Sequence, residues 1–429
     1  MADSPVPFAA SSLRPPLIPL DEAIAVLLAK AEPKLPTESV GTFDADGRVL
    51  AQELVSGLTV PPRDNSAMDG YAVRAADCAA PGAELVVAQR IPAGTVGTPL
   101  AAGTAARIFT GAQIPEGADA VVMQEDTTAV PREGSLGSVR IAIVPAIGQW
   151  VRRQGEDVAS GDIVLKKGER LTPAALGLAA SVGFHKLQVA RKPRVAMLST
   201  GDELVMPGEV APDAMKPGAI YNSNRFFMRA LLHRLGCEVN DLGIVPDNRE
   251  ATIDALRHAA ETSDLIITTG GVSVGEEDHI RAALQSLGEL QLWSLSMKPG
   301  KPFAYGAIAR SGAQGGHCHV TGLPGNPVSS FLTFLMLVRP FLLTLQGATR
   351  VTPEPVQLRA DFDWLRADKR REFLRARRNA AGGLELFGNQ SSGVLTSMVW
   401  GDGVVDNPAG QTIRSGDTVN FIPFASLLG

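Results

Sequence analysis

The chain has 429 residues, 45% of them hydrophobic and 20% charged, with 40 basic residues against 45 acidic ones and a net charge of −5. That length suits about three domains with cores of their own, and the near balance of charge argues against a nucleic-acid-binding surface. The three cysteines, Cys78, Cys237 and Cys318, have neither metal nor redox spacing and cannot build a disulfide framework, so a reducing, cytoplasmic setting is expected.

The first twenty residues lack a basic head and a continuous apolar core, so no signal peptide is expected. No membrane span is expected either, because the longest apolar stretch, Phe331 to Leu345, is short and contains Arg339 and Pro340. Leu20 to Ala31 reads as an amphipathic helix with Asp21 and Glu22 in its first turn. Between Pro61 and about Val151 the sequence turns to short β-rich runs separated by Gly and Pro, which predicts an inserted β domain. Pro173 to Val182 reads as a helix capped by Thr172, in a stretch expected to rejoin the N-terminal segment. From Pro193 to about Gly347 strands and helices alternate, as in a doubly wound α/β domain with a mainly parallel sheet. Beyond Val351 alternating runs and glycine turns predict a small β domain. The expected division is 1–60 with 151–192, then 61–150, 193–347 and 348–429.

The richest stretch is DLIITTGGVSVGEEDHI, Asp264 to Ile280. A buried strand runs into Gly270 and Gly271, and Ser273 and Gly275 precede the acids Glu276, Glu277 and Asp278. Such a turn offers backbone N–H groups to phosphate, and acids beside it call for an oxygen-loving cation such as Mg²⁺. The competing account is an acidic first helical turn that complements the dipole. Ligands of doubly wound sheets bind beyond the carboxyl ends of the strands, where Ser199, Thr200, Gly201, Glu203 and Asp247 would also emerge. The turn MKPGKPF fixes Lys298 and Lys301 where they could hold an anion. The loop TGLPGNPVS, with Pro324, Gly325 and Pro327, precedes an apolar helix and can present N–H groups. Asp64, Asn65, Ser66 and Asp69 cluster at one polar turn, Thr110 begins a second, and Asp157 ends a third; turn nucleation explains such residues equally well. His317, Cys318 and His319 have the look of a metal site, but alternation along a strand turns Cys318 away from the histidines, and a solvated strand edge is the expected account.

Taken in order, NSAMDGYAV, TGAQIPEGADAVVMQED, RRQGED, STGDEL, TTGGVSVGEED, MKPGKPFAYG and GLPGNPVS resemble the MoeA family, whose eukaryotic relative is the gephyrin E domain. The resemblance covers about Leu20 to the C-terminus. It implies a multidomain α/β plus β fold: an elongated N-terminal domain, an inserted β domain, a central MogA-like α/β domain and a small C-terminal β domain. It implies a molybdopterin molybdotransferase, which takes adenylylated molybdopterin and molybdate and yields molybdenum cofactor and AMP with the help of Mg²⁺. A homodimer with a cleft shared between subunits is implied as well, with the molybdopterin adenylyltransferase as a further candidate partner. Carried over by position, the family's functional acids fall on Asp64, Asp157, Glu203, Asp247 and Asp278, the last three being the candidate Mg²⁺ ligands. Thr110 and the strand-end residues above fall on the substrate side, and Lys298, Lys301, Arg370 and Ser397 fall where family members are thought to hold molybdate. The rival activities are the adenylyltransferase itself, which shares the TTGG type of loop, and a non-catalytic scaffold.

Overall fold

The computed structural model describes residues 17–32, 34–246, 248–271, 279–311 and 315–428, with Leu292 described in its backbone alone. The N-terminal helix forms at Leu20–Ala29. The stretches on either side of the β-rich insertion pair with each other, Thr37–Gly41 with Lys186–Ala190 and Leu54–Val55 with Ile163–Leu165. Their apolar residues, Leu50, Leu54, Leu165, Leu171 and Leu187 among them, close one core under the helix Pro173–Ser181. Thr172 caps that helix by accepting the Ala175 N–H at 3.2 Å.

The insertion folds as a six-stranded sheet in the order Ala120–Met123, Gly70–Val73, Thr104–Ile108, Ala83–Ile91, Ser138–Ile141 and Thr127–Val130. Alternation along its strands sends Tyr71, Val73 and Val122 to one core and Ala72, Ile108 and Val121 to another. Gly70 is dictated by sterics, since a Cβ there would meet the Val122 carbonyl oxygen at 1.9 Å.

The central sheet has seven strands: Leu17–Ile18, Gly288–Leu295, Pro302–Ala309, His317–Leu323, Leu265–Thr269, Arg194–Thr200 and Glu238–Val245. The last four run parallel, and the hairpin Gly288–Ala309 adds an antiparallel flank. Leu265 and Ile267 bury against the helices Ser223–Arg234 and Pro327–Thr333, whereas Ile266 faces Arg249–Thr262 and His279–Leu287. This is the doubly wound arrangement. The stretch Pro327–Leu345 is long and apolar enough to cross a membrane by composition, but its residues are buried in the core, with a π-helical turn at Phe334–Val338. Its Arg339 is satisfied by the carbonyls of Leu427 and Val351, each at 2.9 Å, which ties the chain end to the core.

The last region is a sheet of Arg371–Arg378, Gly403–Asn407, Thr418–Pro423 and Val356–Arg359, and Leu384–Leu386 pairs with its first strand. Met297–Lys298 joins this sheet beside Arg371 and Glu372, which stitches the lysine turn of the α/β domain to the C-terminal region.

The histidine triplet does not lie on a sheet edge. His317–Leu323 is an interior strand between Leu265–Thr269 and Pro302–Ala309, because the hairpin covers the side that alternation alone left open. His317 and His319 do share a face, with ring centroids 4.5 Å apart, and Cys318 packs in the opposite core. His319 is 3% exposed, its Nδ1 lies 2.9 Å from the Tyr305 hydroxyl, and its ring packs edge-on to Phe341. Among the described residues no cluster of three or more metal-binding side chains exists. Burial pushes the His319 pKa down to about 3. Above pH ~6.5 folded and unfolded chains both keep this imidazole neutral; below it only the unfolded chain takes up the proton, so stability falls by about 1.4 kcal/mol per pH unit until the folded group titrates. Between pH 7.5 and 4.5 the wild type should therefore lose about 3 kcal/mol more than His319→Gln, measured by urea denaturation. Parallel losses in the two proteins would rule out this origin.

Candidate functional site

Three strand ends of the central sheet open into one cleft of about 470 Å³, lined by Thr200, Glu203, Thr269, Gly270, Pro324, Gly325 and Pro327, with Asn222, Ser223 and Asn224 on its wall. The sequence brings these turns together because parallel strands all end on the same side. Gly201 adopts φ +138°, and a Cβ there would meet the Glu203 carboxylate at 2.5 Å. Gly270 at φ +87° lies against the Thr200 carbonyl, and Gly271 at φ +64° leaves no room for a Cβ beside Ile280. Only glycine suits these turns. Ser199 is buried, with its hydroxyl 2.9 Å from that of Thr269, and ties the two strand ends beneath the cleft.

The Glu203 carboxylate is exposed and has no hydrogen-bonding partner among the described residues. Mg²⁺ takes one or two carboxylates and completes its shell with water and substrate phosphate. A single unpaired carboxylate beside N–H-rich turns fits such an ion. Asp247, Ser273, Gly275 and Asp278, the remaining candidates on this side, lie outside the described residues.

The cleft wall holds residues that the sequence did not single out as binding groups. The ribbon of Leu204–Val205 and Ile220–Tyr221 clamps the start of the Ser223–Arg234 helix to the Glu203 loop, through Ile220 N–H to Glu203 O at 2.8 Å and Asn222 N–H to Val205 O at 3.0 Å. Asn224 Nδ2 donates to Gly325 O at 2.7 Å and fixes the proline loop. Asn222 caps the Ser223–Arg234 helix, and its Nδ2 is buried without a partner among the described residues. An unsatisfied buried donor of this kind costs about 1–3 kcal/mol.

Lys298 and Arg370 come together through shared acids. Lys298 Nζ lies 3.0 Å from Glu372 and 3.1 Å from Asp368, and Arg370 grips Asp368 with two bonds of 3.0 Å. Hydrogen bonds from Arg370 hold Asp368 well below the usual carboxylate range despite its partial burial. Desolvation works against the Lys298 charge, but the bonds to Glu372 and Asp368 outweigh it and raise its pKa. Glu372 is buried and also receives Trp364 Nε1 at 2.8 Å. Lys298→Gln should thus lower stability by about 1–2 kcal/mol, since the lysine is partly exposed and part of its gain is screened; an unchanged urea midpoint would mean that Trp364 and Asn407, whose Nδ2 donates to Glu372 at 3.3 Å, satisfy Glu372 alone. Lys301 is exposed on the same turn. Ser397 is not part of this cluster: it is fully buried, donates to Val394 O and accepts Arg375 Nε at 3.1 Å.

The third group sits at the root of the β insertion. Asp64 accepts the Gln154 N–H at 2.8 Å and Arg153 Nη1 at 2.7 Å, and the backbone bond above all lowers its pKa. Asp69 accepts both the N–H and the hydroxyl of Thr110 at 2.8 Å, which lowers its pKa too. Asp157 is exposed next to them, its N–H bonded to Val60 O. Among the described residues, the hydrogen bonds of Asp64, Asp69 and Thr110 all close within the Asp64–Gln154 segment.

Known proteins are similar to this chain across nearly its whole length. Residues 18–183 match the family profile described as the MoeA N-terminal region (domain I and II), residues 196–344 a probable molybdopterin binding domain, and residues 357–424 the MoeA C-terminal region (domain IV). A molybdopterin molybdenumtransferase of Haemophilus influenzae is 38% identical over 420 residues, covering 96% of this chain and 100% of the relative. One of a Nostoc species is 36% identical over 406 residues, covering 92% and 90%. The crystal structure of a molybdopterin biosynthesis moeA protein from Pyrococcus horikoshii OT3 superimposes with a TM-score of 0.78 at 29% identity, over 95% of this chain and 100% of that one.

Proposed function

The chain belongs to the MoeA family of molybdopterin molybdenumtransferases, and we propose that it inserts molybdenum from molybdate into adenylylated molybdopterin, releasing AMP and molybdenum cofactor. The observation that carries this reading is the cleft in which Glu203, without a partner among the described residues, stands beside the Thr200, Gly270 and Pro324 turns, while Pro302, at the end of the Lys298 turn, reaches its rim. Backbone N–H groups of these turns would hold the phosphates, and Lys298 and Arg370 would draw the molybdate dianion. Both cations already face Asp368, so molybdate would compete with that carboxylate for them. Glu203, with Asp247 and Asp278, would hold Mg²⁺, which when bound supplies positive charge against the phosphoanhydride. Attack on that anhydride by an oxygen of water or molybdate breaks the bond to AMP, and the acids position the attacking group.

The insertion supplies the other half of the site in this reading. Asp64, Asp157 and Thr110 serve the cleft of a second copy in a homodimer, a reading supported by their absence from the lining of this chain's own cleft and, for Asp64 and Thr110, by side-chain bonds that close within the insertion's own segment among the described residues. A cytoplasmic setting follows from the substrates proposed. The test is direct: purified protein given molybdopterin species and molybdate should yield pterin-bound molybdenum that activates a cofactor-free molybdoenzyme. Yields equal to a protein-free control would reject the function.

A further inference from the structure

Asn222 stands at the head of the Ser223–Arg234 helix, 2% exposed, on the wall of the cleft. Its Oδ1 accepts the Arg225 N–H at 3.2 Å, which fixes which end of the amide faces the helix. The other end, Nδ2, is buried and unpartnered among the described residues. The backbone bond to Val205 and the Asn224 bond to Gly325 hold this corner rigid between the Glu203 loop and the proline loop. Ser223 and Asn224, the first helical residues, have N–H groups with no carbonyl a turn earlier to accept them, and they carry the positive end of the helix dipole. An amide locked so that it can only donate, set among free N–H groups, selects an anionic acceptor.

We propose that Asn222 donates Nδ2–H to a phosphate oxygen of the pterin substrate, so that the head of this helix is the phosphate subsite of the cleft. The assignment rests on the reading of the cleft as a molybdopterin site. It places the pterin phosphate on the wall of the cleft and leaves the glycine turns to the phosphate of AMP, with Glu203 facing the anhydride between the two.

Asn222→Asp tests it, because aspartate keeps a cap acceptor of the same shape and replaces the donor with a carboxylate oxygen. Anaerobic titration calorimetry would compare molybdopterin with its phosphatase-treated, dephosphorylated form. The expected result is a dissociation constant for molybdopterin raised about 30-fold in the variant, with equal binding of the dephosphorylated form by both proteins. Asn222→Ser, which retains a cap and a hydroxyl donor, should lose less and serves as the comparison if the aspartate variant melts early. Equal weakening of both pterins, or weakening of neither, overturns the subsite. Binding is read without turnover, so a wild type that binds molybdopterin as expected but inserts no molybdenum would refute the proposed function and leave the subsite standing.

Discussion

Glu203→Gln should lower molybdenum insertion about 100-fold while shifting the melting temperature by no more than about 1 °C. The asymmetry follows from where the carboxylate stands. It is exposed and bonds to none of the described residues, so removing its charge costs the fold little. In the cleft, however, it lines the same space as the turns proposed to hold phosphate, and the positive charge of the Mg²⁺ it would hold there is worth several kcal/mol against a phosphoanhydride in the transition state. Retention of activity within about threefold, with an unaltered Mg²⁺ requirement, would remove Glu203 from the site.

Mixing two inactive variants should restore activity. If each cleft draws Glu203 from one subunit and Asp64 from the other, co-expressed Asp64→Asn and Glu203→Gln chains will pair at random. Half the dimers are then mixed, and each mixed dimer holds one intact cleft, so roughly a quarter of wild-type activity should return. Asp64→Asn also loses its ion pair with Arg153, but that pair is exposed on the arginine side and contributes little to stability. Activity no higher than the better single variant would mean that the two residues work within one chain or not at all.

Legibility of the chain from its sequence followed the range of the interactions. The helix after Thr172 and the strand before Gly270 are set by residues within a few positions, a capping hydroxyl in one case and an apolar run ending in glycine in the other, and both form where expected. The convergence of the Glu203 and Gly270 turns was legible as well, because parallel strands must end together; that the Pro324 loop joins them is added by the structure. The position of the His317–Leu323 strand was not, since whether a strand is interior depends on a hairpin elsewhere in the chain. For the same reason the sequence pointed to Lys298 and Arg370 but not to their counter-charges: Glu372 lies 74 residues from the lysine it meets, and Asp368 reaches that lysine only through the fold. Ser397 shows the converse, a hydroxyl in a motif that the fold spends on a buried arginine. For Asn222 only the packing shows one end of its amide capping a helix and the second end left over.

Molybdate-dependent release of AMP tests the account most directly. Purified protein would be incubated anaerobically with adenylylated molybdopterin and Mg²⁺, and AMP followed by chromatography before and after molybdate is added. The account predicts no release above the protein-free rate until molybdate arrives, then AMP in equal amount to the molybdenum bound by pterin. Release that ignores molybdate, or formation of adenylylated pterin from ATP, would contradict it.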